Sequence, residues 1–239
     1  MPVQGVHPTG TGTPGDFDLS LTLSDISAGG TAEAEQVNAI QRLAAAAEAE
    51  GLDENAKHHI RRMSSYCELL ARRCGLSTHM TELIGVASAM HDIGMIGVPR
   101  EIRLKAGVLE PEEFEVMMGH TELGYRILAD ESSELLMTAA SIALTHHERM
   151  DGTGYPHALV GTDIPLEGRV AAVADVFEAL TSHRLYRPAF EVDDAIQVMI
   201  QGRGTHLDPE LFDLFRGDLD AVVAIRDSFS TPAEAVSED

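Results

Sequence analysis

The sequence predicts an all-α fold, a bundle of helices packed around one core. Three observations carry this. Apolar residues recur at three- and four-residue intervals through most of residues 36–228, and no stretch alternates in the way a strand with one wet face does. Alanine and leucine dominate the apolar set, while aromatic residues make up only 5% and tryptophan is absent, a balance that favours helices over a β-sandwich. With 239 residues and 44% hydrophobic side chains, the chain is long enough and apolar enough to bury a sizeable core.

Residues 1–35 read as a disordered tail, rich in Gly, Thr and Pro ("HPTGTGTPGDFDLS") and without Lys or Arg. The helical domain is expected over 36–228, and residues 229–239 form a second tail. Residues 36–50 make an alanine-rich helix. Residues 53–74 make a second, with Ile60, Met63, Cys67, Leu70 and Cys74 on one face. A third runs from about 79 to 93 through Leu83, Ile84, Ala87 and Met90, and stops at Gly94. "LEPEEFEVM" opens a fourth, with Pro111 in the first turn and acidic residues beside it, where the helix dipole favours negative charge. Residues 134–149, 166–183, 191–201 and 208–216 complete the set, and Asp208-Pro209 has the form of a cap followed by a first helical residue. There is no internal repeat.

The net charge of −22 argues against a nucleic-acid polymer or an anionic membrane as partner, since both require excess Lys and Arg. It leaves room for a small anion held locally. Cys67 and Cys74 read as small core residues, and two cysteines without a disulfide framework fit a reducing cytoplasm. No apolar run reaches the roughly 18 residues of a membrane span, and no signal peptide opens the chain. The 35-residue tail is too short to be a receiver or sensory domain, so regulation is expected from a partner, from metal supply or from the ligand.

The chemistry concentrates in a few of the eleven histidines. His59, His91, His120, His146 and His147 fall beside apolar helical positions, and Asp92 adjoins His91. Asp175 lies in "AAVADVFEAL", where an aspartate is expensive to bury unless it is paired or bound to a metal. Five imidazoles and two carboxylates in one bundle interior would be a costly core. A metal cluster built from facing helices removes that cost. Mixed His and carboxylate ligands suit Fe, Mn, Zn or Co rather than Mg or Ca alone, and without thiolates the set does not resemble a structural zinc site. Arg184 and Arg187, one helical turn apart just past Asp175, could clamp a phosphate.

In order along the chain, His91-Asp92-Ile93-Gly94, His120, His146-His147-Glu148 and Asp151-Gly152-Thr153-Gly154-Tyr155-Pro156 resemble the HD-GYP branch of the HD phosphohydrolases. The resemblance covers about 50 to 215, including "IGVPREIRLKAGVLEPEEF" and "GRGTHLDPELFDLF". It implies a helical bundle of the HD phosphohydrolase type with a metal centre in its core. It also implies a phosphodiesterase that opens cyclic di-GMP to linear pGpG or GMP by a metal-activated water. The metal ligands implied are His59, His91, Asp92, His120, His146, His147 and Asp175, with Asp92 bridging and the His91-Asp92 pair catalytic. Arg184 and Arg187 match phosphate-holding positions, and Tyr155 offers a ring and a hydroxyl at the pocket mouth. On this reading His146 and His147 serve different metals and the Gly152–Pro156 loop leaves the site at once. The expected cofactors are two divalent ions, Fe or Mn, with Zn, Co or Ni as alternatives. Signalling proteins such as diguanylate cyclase domains are implied partners.

Three positions depart from the pattern. Met95 stands where the family usually has Lys, which removes a phosphate donor. Asn55 stands where members with three metals carry Glu, so two metals are expected here. Ala158 replaces a usual glycine, with little effect expected. Met95 and Asn55 keep open a weakly active or inactive module that binds cyclic di-GMP, and the substrate pocket keeps open another cyclic dinucleotide or phosphoester.

Overall fold

The computed structural model describes residues 54–182 and 188–229, together with Ala39 and Arg42. The expected tails, most of the 36–50 helix, Arg184 and Arg187 lie outside the described residues. Among the described residues there are helices and no strands, only isolated bridges at Asp151–Val160 and Arg203–Leu207.

The helices are α1 (Glu54–Arg73), α2 (Thr78–Ser88), α3 (Arg100–Arg103), α4 (Pro111–Leu128), α5 (Glu134–Thr145), α6 (Leu166–Thr181), α7 (Val192–Gln201), α8 (Pro209–Gly217) and α9 (Leu219–Ser228). Helix starts follow the local chemistry. Ser77 caps α2 and Ser133 caps α5, each hydroxyl accepting a backbone N–H of the first turn. Pro111 opens α4, where the Glu113 carboxylate accepts the Glu110 N–H at 2.7 Å. Asp208 accepts the N–H groups of Glu210 and Leu211 ahead of Pro209, as the Asp-Pro pair predicts.

Helix α1 is the spine. It packs against α2, α6, α8 and α9, while α5 lies between α4 and α6 on the other side of the core. Ile60, Met63, Cys67 and Leu70 are buried as the spacing requires, though Cys74 is only half-buried. Tyr66 meets Phe177 and Phe215 at centroid separations of 5.4 and 5.9 Å, an aromatic knot that joins α1, α6 and α8.

The helix ends depart from the periodic pattern at the positions that matter most. Helix α2 stops at Ser88 rather than near Ile93, so His91 and Asp92 stand in turns that lead to a 3-10 turn at Ile93–Gly97. The close approach of this turn to α4 explains the early stop. A Cβ on Gly94 would stand 1.9 Å from the His120 carbonyl oxygen and 2.6 Å from the Gly124 nitrogen. Helix α5 likewise ends at Thr145, not at 149, with His146 as its C-cap, and α6 ends at Thr181. Helices α3 and α9 were not expected from the sequence.

Candidate metal centre

Four elements converge on Asp92. The turn after α2 supplies His91 and Asp92, α4 supplies His120, the end of α5 supplies His146 and His147, and α6 supplies Asp175. The ligand atoms of Asp92, His120, His146 and His147 lie within 4.8 Å of one another. That is little more than the ~4 Å separating opposite ligands of an ion with bonds of about 2.0–2.2 Å.

The two carboxylate oxygens of Asp92 face different partners. Oδ1 is 3.2 Å from His120 Nε2 and 3.5 Å from His146 Nε2. Oδ2 is 3.5 Å from His91 Nε2, which in turn is 4.0 Å from Asp175 Oδ1. His146 and His147 are adjacent, with ring centroids 4.0 Å apart, and both rings remain at the cluster because the helix has already ended.

Hydrogen bonding fixes what these rings present. His91 Nδ1 lies 3.0 Å from the Ser88 carbonyl, His120 Nδ1 2.7 Å from that of Met117, and His146 Nδ1 3.0 Å from that of Ile142. A carbonyl only accepts, so each Nδ1 carries the hydrogen and each neutral ring turns an Nε2 lone pair inward. His91 Nε2, His120 Nε2, His146 Nε2 and Asp92 Oδ1 are buried without a hydrogen-bond partner. Four buried acceptors facing one another are unfavourable unless a cation sits among them. The donor set therefore fits a divalent metal.

The electrostatics agree. Burial holds the His91 imidazole below its ordinary pKa; burial and the neighbouring His146 hold His147 well below. Both are thereby neutral, the ligating form. Burial opposes ionisation of Asp92, but His91, His120 and His146 outweigh it and hold the carboxyl well below the usual range. Burial also pulls His120 down, yet the Asp92 carboxylate beside it raises it overall.

His59 stands apart from the four-residue group. Its ring centroid is 5.7 Å from that of His91, and its Nδ1 is 3.2 Å from Glu178 Oε1. Glu178, on the same apolar stretch of α6 as Asp175, is fully buried and ion-paired with Arg62. Sequence reasoning passed over both. The available signal was the same one that marked Asp175, an acid in an apolar run.

The Gly152–Pro156 loop does not leave the site; it folds back over it. A Cβ on Gly154 would lie 2.6 Å from the His147 carbonyl oxygen and 2.4 Å from the Arg149 nitrogen, so only glycine permits the return. Tyr155 N–H donates to that carbonyl at 3.3 Å, and the Tyr155 ring lies 4.9 Å from His147 and 5.9 Å from Phe114. Buried Glu148, unassigned from the sequence, holds the loop by accepting the N–H groups of His157 at 2.7 Å and Leu159 at 3.0 Å. Ala158 sits in the left-handed region at φ 53°, so its replacement of glycine carries a backbone cost that the sequence alone did not disclose. Met95 is half-buried in the 3-10 turn, its N–H bonded to the Asp92 carbonyl at 2.9 Å.

Comparison with known proteins agrees with this geometry. The sequence profile of the HD domain family matches residues 40–211. A 3'3'-cGAMP-specific phosphodiesterase of Vibrio cholerae is 35% identical over 89% of this chain and 40% of its own length. A cyclic di-GMP phosphodiesterase response regulator of Xanthomonas campestris is 40% identical over 83% of this chain and 52% of its own. The chain thus spans about half or less of the length of these relatives. Two solved structures share the fold. The HD-GYP-type protein Bd1817 of Bdellovibrio bacteriovorus has a TM-score of 0.55 at 19% identity, over 70% of this chain and 53% of its own. A cyclic GMP-AMP-specific phosphodiesterase of V. cholerae has a TM-score of 0.59 at 16% identity, over 82% of this chain and 51% of its own. The chain, an all-α bundle whose His and Asp side chains converge where they could hold a metal and which that profile matches over most of its length, belongs to the HD domain family.

Proposed function

We propose that the protein is a metal-dependent phosphodiesterase that opens a cyclic dinucleotide, with cyclic di-GMP as the first candidate and linear pGpG or GMP as product. The observation that carries this is the convergence of unpartnered lone pairs from His91, His120, His146 and Asp92 on one buried point. Relatives named for cyclic di-GMP and for 3'3'-cGAMP support the class of substrate, and 3'3'-cGAMP is the second substrate to try.

Two divalent ions, Fe or Mn in the first instance, would be held by His59, His91, Asp92, His120, His146, His147 and Asp175. Bound ions of this kind lower the pKa of a water to make it nucleophilic and neutralise phosphoryl charge. The chain's own residues do the rest. Asp92, with one oxygen toward His120 and His146 and the other toward His91, would offer a carboxylate oxygen on each side of the site. The carbonyls of Ser88, Met117 and Ile142 lock three rings in the ligating tautomer. Tyr155 walls the site beside His147 and limits water there. Arg184 and Arg187 would hold the substrate phosphates.

A weakly active binding module is the second reading, and Met95 favours it, since methionine offers phosphate neither charge nor donor. The deciding experiment is to purify the protein anaerobically with Mn(II) or Fe(II), count metals, and follow cyclic di-GMP and 3'3'-cGAMP by chromatography. Linear product from the wild type, with metal and product lost together in Asp92→Ala, establishes the enzyme. Tight binding without product establishes the binding module. Product formation from metal-depleted protein would refute the mechanism.

A further inference from the structure

His59 and Arg62 lie three residues apart on α1, and Asp175 and Glu178 lie three apart on α6, so each pair shares one face of its helix. Where the two helices meet, the Glu178 carboxylate faces donors from His59, Arg62 and Ser182. Its Oε1 is 3.2 Å from His59 Nδ1, and it accepts Arg62 Nη2 at 2.7 Å and Ser182 Oγ at 2.7 Å. Arg62 Nε lies 2.9 and 3.0 Å from the two carboxylate oxygens. The side chain of Glu178 is wholly buried.

We infer that Glu178 is a positioning residue for the metal centre, fixing through its carboxylate the tautomer and ring angle with which His59 meets the ion. An ionised carboxylate only accepts, so the hydrogen of a neutral His59 resides on Nδ1 and Nε2 carries the lone pair. His91, His120 and His146 obtain the same result from backbone carbonyls, which no substitution can remove. His59 obtains it from a side chain. The Arg62 guanidinium reaches both oxygens of the buried Glu178 carboxylate, so that the acid has a cationic partner beside it as well as His59. Arg62 extends the device, since it also donates to the Phe229 carbonyl at 3.1 Å and to Ser182 Oγ at 3.2 Å. One ion pair thereby ties His59 to the end of α9 and to the exit of α6.

The inference rests on the reading of His59 as a ligand, and the test separates the two. Mn(II) binding is measured by calorimetry, with metal counts and melting curves, on wild type, Glu178→Gln and His59→Asn. A folded Glu178→Gln is expected to bind Mn(II) about tenfold to a hundredfold more weakly. If its affinity and stoichiometry match wild type while His59→Asn loses metal, the positioning role fails and the ligand reading survives. If His59→Asn binds as wild type does, the ligand reading fails and the inference falls with it. Glu178→Gln strands the Arg62 charge and could unfold, so a second measurement uses the unaltered chain. In the zinc-loaded wild-type protein, 15N shifts of His59 are expected to show the Nδ1–H form; an Nε2–H form overturns the inference whatever the variants do.

Discussion

At the scale of single residues, the chemistry depends on which atoms lack a partner. Asp92 offers each oxygen to a different imidazole, and removing the carboxylate leaves three inward lone pairs with nothing to share. Met95, in the turn that follows, is half-buried and bonded through its N–H to the Asp92 carbonyl. Met95→Lys is expected to raise kcat on cyclic di-GMP; an unchanged kcat would mean that another group neutralises the phosphate. Ala158 carries the opposite kind of information. An alanine at φ 53° costs about 1–2 kcal/mol. Glycine removes that cost but adds about 0.4–1 kcal/mol of unfolded-chain entropy. Ala158→Gly should therefore stabilise the protein by a net amount of up to about 1.5 kcal/mol, read as a melting temperature higher by up to about 3–6 °C.

At the scale of elements, the site is placed by helix ends rather than by helix faces. Helices α2 and α5 both stop short, and the released residues His91, Asp92, His146 and His147 reach positions that a continuous helix would deny them. The 3-10 turn can lie against α4 because Gly94 has no side chain. In Gly94→Ala the added carbon would meet backbone atoms of α4 that have no rotamer to escape into. A loss of about 1–3 kcal/mol is expected from such overpacking. Metal content should fall with it, because Asp92 is carried away from His120. A variant that melts lower but keeps full metal would show that the turn and the ligand are not mechanically linked. Glu148 does for the Gly152–Pro156 loop what Gly94 does for the turn. It pins two backbone N–H groups and so holds Tyr155 over His147.

At the scale of the whole molecule, α1 packs against four of the later helices, α2, α6, α8 and α9. Cys67 lies at its centre with no exposed surface, and burial pushes its thiol up to about 12, whereas Cys74 is half-buried. A raised thiol pKa means that the folded state holds its proton while an unfolded chain releases it above about 8.5. Stability from this group is complete below that pH and declines as pH rises toward 12. At pH 9 a thiol reagent should leave Cys67 unlabelled in the folded protein and label both cysteines once it is unfolded. Rapid native labelling of both would show that α1 opens far more readily than its packing implies. No described helix is long and apolar enough to cross a membrane.

Local rules sufficed for much of this. Helical spacing, the Asp208-Pro209 cap and the proline at the start of α4 were legible in the sequence, because each depends on residues within a few positions of one another. The same is true of the Asp175 signal, an acid in an apolar run. Other features were decided by partners far away in the chain. The tie between Arg62 and Glu178 spans 116 residues. The early end of α2 depends on α4, the return of the Gly152–Pro156 loop on the backbone at 147–149, and the cost at Ala158 on a backbone angle that no composition reveals. The sequence marked seven candidate metal-binding side chains, and the fold brings ligand atoms of Asp92, His120, His146 and His147 within 4.8 Å of one another. Only the tertiary structure decided which of their atoms would face a metal, because orientation is set by hydrogen bonds and close contacts that exist only once the helices have packed.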